Sequence, residues 1–150
     1  MADVKQLLAA ARDICPGGTI LLADGCYRMP HYFELNTDRI SLRNASGDRG
    51  KVVLDAAESR YGELVGLRAY SGATIADLTI QDIRHNGFKL SPDSGIHGVT
   101  IRDRAIHNIW QRGLKGVRVP AGDSRIKPPK TAVSSTAHIF QNRGLHLVKS

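Results

Sequence analysis

The sequence predicts an all-β fold, a right-handed parallel β-helix of about five coils with a short α-helix capping its N-terminus. Three observations predict it. Short apolar runs of β-type residues, bounded by Gly, Asn or Asp, follow one another from residue 19 onward. No second convincing helix interrupts them, which argues against a doubly wound α/β fold. Part of the chain repeats itself at a constant offset, the one that carries Ala73 onto Val99.

The elements follow in order. Residues 3–14 read as a helix because Val4, Leu7, Leu8 and Ala11 recur at helical spacing. Asp3 is the expected N-cap, and Pro16-Gly17-Gly18 stops the helix. Strand-like runs then cover 19–23, 39–43, 51–54, 64–69, 73–81, 87–91, 99–109, 113–119, 138–140 and 145–148. Residues 73–90 lie over 99–116 without a gap. Ile75 falls on Ile101, Asp77 on Asp103, Ile80 on Ile106 and Ile83 on Ile109. Gly87, Phe88 and Lys89 fall on Gly113, Leu114 and Lys115. Such a period is too short for a helical-hairpin repeat, and the leucine-rich signature is absent. Each period is therefore one coil, stacked at about 4.8 Å with matching isoleucines as an internal ladder. A weaker echo places Gly144, Leu145 and His146 after a longer loop.

The whole chain, 1–150, reads as a single domain. It divides into a cap helix (3–14), coils (19–119), a loop rich in Pro, Lys, Ser and Thr (120–137), and a last coil or irregular tail (138–150). No second cap is visible. The expectation is a truncated member, a fragment, or a chain that pairs end to end through its uncapped last coil.

Net charge is +7 and the pI is about 9.8, which favours acidic partners. The basic residues are spread along the chain, which weakens a nucleic-acid reading. Cys15 and Cys26 have no metal-type spacing and are expected as buried thiols rather than a bridge. No apolar run approaches the ~20 residues of a membrane span. Residues 1–12 are amphipathic and unlike a signal peptide, so the chain as written starts in the cytoplasm. Asn44-Ala45-Ser46 matches a glycosylation sequon.

Gly18-Thr19-Ile20-Leu21-Leu22-Ala23-Asp24-Gly25-Cys26-Tyr27 resembles the first coil of pectin-lyase-like right-handed β-helix proteins. Ile40 to Gly47, followed by Val52-Val53-Leu54-Asp55, is similar to their second coil, and Thr74 to Ile80 to their recurrent coil. The resemblance spans roughly residues 4–119 and implies the fold rather than one activity. The family holds pectate, alginate and chondroitin lyases, polygalacturonases, epimerases and non-enzymatic adhesins, usually secreted or periplasmic.

Chemistry is expected on one outward face. Apolar–charged alternation points Arg43, Arg68, Lys89, Lys115 and His146 outward, each about one coil after the last. This predicts a basic column. Like charges ~4.8 Å apart repel by roughly 1 kcal/mol in water, so an acidic polysaccharide lying along the column would relieve it. A uronate lyase needs a base for the C5 proton and positive charge at the carboxylate. The family resemblance implies a Lys or Arg base, so Lys89 and Lys115 are the candidates. Arg68 is the catalytic carboxylate partner. Arg43, His146 and Trp110 are the expected substrate contacts, Trp110 by stacking on a sugar ring. No cofactor is required. Calcium has weak support, because Asp77 and Asp103 stack at a predicted turn where Asp commonly bonds its own backbone. The aspartate cluster of a polygalacturonase is not visible on this stripe, and no HExxH motif occurs among His31, His85, His97, His107, His138 and His146. The alternatives are a non-catalytic carbohydrate-binding or structural β-helix, or an inactive fragment. Arg104, at the inward place of Leu78, predicts a loosened core there.

Overall fold

The computed structural model describes residues 3–68, 72–91 and 98–116. These residues form a parallel β-solenoid with a short N-terminal helix. Helix α1 spans Val4–Asp13. The Asp3 carboxylate caps it, accepting from the backbone N–H of Lys5 at 2.9 Å and of Gln6 at 3.2 Å. Its apolar face buries Leu7 and Ala11 in the core, with Val4, Leu8, Ala10 and Ile14 packed against it. The helix therefore covers the apolar end of the first coil, as a solenoid cap must. Gly17 turns the chain out of the helix at φ +83°, and its N–H donates to Asp38 O at 3.0 Å.

Each turn crosses two sheets. The first coil carries β1 (Thr19–Leu22), β2 (Gly25–Arg28) and β3 (Phe33–Leu35). The second carries β4 (Ser41–Asn44), β5 (Val52–Asp55) and β6 (Glu63–Leu67). Later coils fuse the first two strands into one, giving β7 (Thr74–Ile83) with β8 (Asn86–Leu90), and β9 (Thr100–Ile109) with β10 (Arg112–Gly116). The first sheet stacks β1–β4–β7–β9, with β2–β5 also joining β7; the second stacks β3–β6–β8–β10, all parallel.

Among the described residues the path makes about three turns, where five coils were expected. The runs at 39–43, 51–54 and 64–69 belong to one coil, split by the 45–51 loop, and do not open separate coils. The short β2 and β3 strands are additional elements that the apolar runs did not mark. By contrast, the repeat is realised residue by residue: Ile75 pairs with Ile101, Ile80 with Ile106, Ile83 with Ile109, Phe88 with Leu114 and Lys89 with Lys115.

Inward positions stack as ladders. Ile20, Leu42, Ile75 and Ile101 make one; Tyr27, Leu54, Ile80 and Ile106 a second; Phe33, Val65, Phe88 and Leu114 a third. A buried Leu or Ile is worth about 1.5–3 kcal/mol, so the ladders hold the coils together. Left-handed residues set the bends within the long strands. Asp77 (φ 58°) lies level with Asp103 (φ 45°), and Asp82 (φ 55°) level with Asn108 (φ 45°). Asp and Asn tolerate this conformation better than other non-glycine residues.

Several expectations change. Both cysteines are free, and both are exposed rather than buried. The sequon asparagine is occupied: Asn44 is buried, its Nδ2 donates to Asp48 O at 2.6 Å, and its Oδ1 accepts from Ser46 N. Arg104 sits in register with Leu78, as the repeat predicts. The side chain is only 6% exposed, and its guanidinium donates to Ile101 O at 2.9 Å. Burial lowers its pKa, opposed by the nearby Asp103 carboxylate. Among the described residues no helix is long and apolar enough to cross a membrane.

Candidate functional site

The outer face of the second sheet brings together several of the side chains that the sequence singled out. In its strands the inward residues alternate with Glu34, Gly66, Lys89 and Lys115, and these four align in register. Glu34 and Lys89 each sit between buried apolar neighbours, so alternation alone points them outward. Lys89 and Lys115 are one rung apart, as the repeat predicts.

The cations on this face are paired. Arg68, just beyond β6, places Nε 2.8 Å from Glu34 Oε1. Lys89 Nζ lies 3.0 Å from Glu63 Oε2. The Tyr32 hydroxyl donates to the same Glu34 oxygen in a short hydrogen bond. The phenol occupies the space over Gly66, where an added Cβ would meet its oxygen at 2.0 Å. Burial raises the Tyr32 pKa; the bond to Glu34 and that carboxylate's charge raise it further, against an opposing effect of Arg68. Tyr32 therefore stays protonated at neutral pH. Lys115 has no ion pair among the described residues. The face is a row of alternating charge that becomes cationic toward Lys115.

The expected column of five does not form as such. Lys89 and Lys115 stack, and Arg68 lies on the same face but two residues further along its strand, because Gly66 occupies the register position. Arg43 is on the other sheet, in register with Leu21, Ala76 and Arg102. Even spacing put it in the column, but coil lengths differ, so equal spacing does not mean equal azimuth. His146 lies outside the described residues. Trp110 stands at the corner between β9 and β10, 86% exposed. Glu34, Glu63 and Tyr32 escape the sequence reading because it follows only cations along the chain. The motif Phe33-Glu34-Leu35, which matches Phe88-Lys89-Leu90, carried the signal for Glu34.

Asp77 and Asp103, expected to bond their own backbone, instead both face Arg102, at 3.8 Å and 2.7 Å. With Gly47, Asp48 and Arg49 they line an open depression of about 550 Å³ where the 45–51 loop meets the bend. Among the described residues no group of three or more His, Cys, Asp or Glu side chains could hold a metal ion. Compared with protein families, curated proteins and solved structures, the chain matches none, so the solenoid and this face carry the functional reading.

Proposed function

We propose that the chain is a right-handed, pectin-lyase-like β-helix protein that binds an acidic polysaccharide along the outer face of its second sheet. The alignment of Lys89 with Lys115 beside Arg68 carries this reading. The strands present these cations at the rung spacing of about 4.8 Å, along the stacking axis. A polymer with regularly spaced carboxylates lying on that axis would meet them in succession. Ligand carboxylates would compete with Glu34 for Arg68 and with Glu63 for Lys89, whereas Lys115 has no ion pair among the described residues to displace.

Catalysis by β-elimination is the second reading, and Tyr32 favours it. A base removes the C5 proton, the C–H electrons form the C4–C5 double bond, and the C4–O bond breaks. Lys115, in its neutral form, is the candidate base, because Lys89 is already held by Glu63. Arg68 would face the substrate carboxylate. The Tyr32 hydroxyl, which donates to Glu34 in the free protein, would shift that hydrogen bond to the departing glycosidic oxygen.

The test is a panel of uronate polymers, with and without calcium. Binding is followed by calorimetry, and the unsaturated product by its absorbance. The expected result is binding that weakens steeply with salt and falls about tenfold or more in the Lys89→Ala, Lys115→Ala double variant. Absorbance growth that disappears in Tyr32→Phe and Lys115→Ala would establish the lyase. Folded protein that binds no uronate polymer at low salt would end the polysaccharide reading.

A further inference from the structure

The corner where the chain passes from the first sheet to the second carries an exposed aromatic and cationic ridge. Backbone hydrogen bonds stack it rung on rung. His85 N–H donates to Gly62 O at 2.7 Å, and Gln111 N–H donates to His85 O at 3.2 Å. Trp110 N–H donates to Ile83 O at 3.0 Å. Tyr61-Gly62, Arg84-His85 and Trp110-Gln111 therefore occupy successive rungs.

Tyr61 is 60% and Trp110 86% exposed, and they are the exposed large aromatics among the described residues. One exposed aromatic needs no explanation. Two on one corner, on rungs either side of Arg84, are a pattern, since each forgoes burial that a large ring normally gains. Arg60 and Arg84 are exposed and form no ion pair among the described residues. The His85 ring is folded onto Gly62, where an added Cβ would fall 1.8 Å from Nδ1. His85 is itself exposed; Tyr61 and Trp110 are the large exposed rings on either side of Arg84, about 10 Å apart along the axis from two rung spacings.

We propose that this ridge is a glycan-stacking platform, with Tyr61 and Trp110 each facing one sugar ring and Arg84 pairing with a uronate carboxylate between them. It rests on the acidic-polysaccharide reading above and adds the surface that recognises the sugar rings themselves. Two rungs approximate the length of a disaccharide in an extended chain, so alternate sugars of one strand would meet the two rings. Pyranose C–H faces suit aromatic faces, and the guanidinium suits a carboxylate in a two-pronged pair. A single-stranded nucleic acid would also seek aromatic and cationic groups, so an oligonucleotide is set against the uronate in the test.

Trp110 is the chain's sole tryptophan and reports directly on the ridge. Emission is followed while oligogalacturonate, a neutral cello-oligosaccharide or a single-stranded oligonucleotide is added, with calorimetry in parallel. Oligogalacturonate is expected to shift Trp110 emission to the blue. Trp110→Ala, Tyr61→Ala and Arg84→Gln are each expected to weaken binding roughly three- to tenfold. Circular dichroism of these exposed-site variants should match the parent. Oligogalacturonate binding with unchanged emission, and unchanged in all three variants, would overturn the ridge and leave the second-sheet reading intact. An emission response to the oligonucleotide alone would also overturn it. Absence of any uronate binding at low salt removes both.

Discussion

The rungs built by β7 and β9 come from the same repeat, yet they differ in what the interior accepts. On β7 the inward Ile75, Leu78 and Ile80 are fully buried. On β9 the matching Ile101 is buried, Arg104 replaces Leu78, and Ile106 and Ile109 are only partly covered. The β7 rung lies between β4–β5 and β9, whereas among the described strands β9 pairs only with β7. A rung stacked on both sides must fill its interior with apolar atoms. On β9 a guanidinium occupies that place instead, bonded to Ile101 O.

The largest expected effect breaks the interior rung. Leu78→Ala should destabilise the protein by about 3 kcal/mol, the cost of a cavity between two stacked coils. Arg104→Leu, at the same place one coil on, should leave stability within about 1 kcal/mol of the parent and toward a gain, since a buried cation gives way to an apolar side chain. Urea unfolding of both checks the contrast. Equal losses would show that the two rungs share one environment.

The paired glycines sharpen the comparison. A Cβ at Gly87 would meet Gly113 O at 2.7 Å and Ile80 Cδ1 at 2.5 Å. Among the described residues, a Cβ at Gly113 would meet Ile106 side-chain atoms, the nearest at 3.0 Å. Gly87→Ala should therefore cost roughly 2 kcal/mol, because the next rung's backbone must move. Gly113→Ala should cost less than about 1 kcal/mol, because a side chain can turn aside. Thermal melts in which Gly113→Ala is the worse of the two would refute this.

The smallest effect lies on the second sheet. Tyrosine ionises near pH 10 in the unfolded chain, and Tyr32 is raised above this when folded. Its contribution is thus fully present below about pH 10 and declines as pH rises through the folded value. Tyr32→Phe should flatten the alkaline loss of stability. Part of the slope should remain, since burial also raises Tyr27. An identical pH profile in Tyr32→Phe would mean that the phenol is not coupled to folding.

The coils were legible where the chain repeats without a gap. The constant offset placed Lys89 on Lys115 and Leu78 on Arg104, and both pairings are in the sheets. It failed where coil length changes. Thr19 pairs with Ser41 and Ser41 with Thr74, so the second coil is much longer than the first. Arg43 left the expected column for that reason. The helix was legible through Asp3 and the spacing of Leu7 and Ala11, because capping and amphipathic period are local properties.

Sequence by itself determined the capping helix, the strands of the repeated coils, their stacking period and the isoleucines that stack inside them. These follow from side-chain alternation and repetition, which act over a few residues or at constant offset. Only the tertiary structure decided which charges meet. Glu34 reaches Arg68 and Glu63 reaches Lys89 across coils of unequal length, so no spacing rule pairs them. The corner that aligns Tyr61, Arg84 and Trp110 likewise depends on where each coil bends.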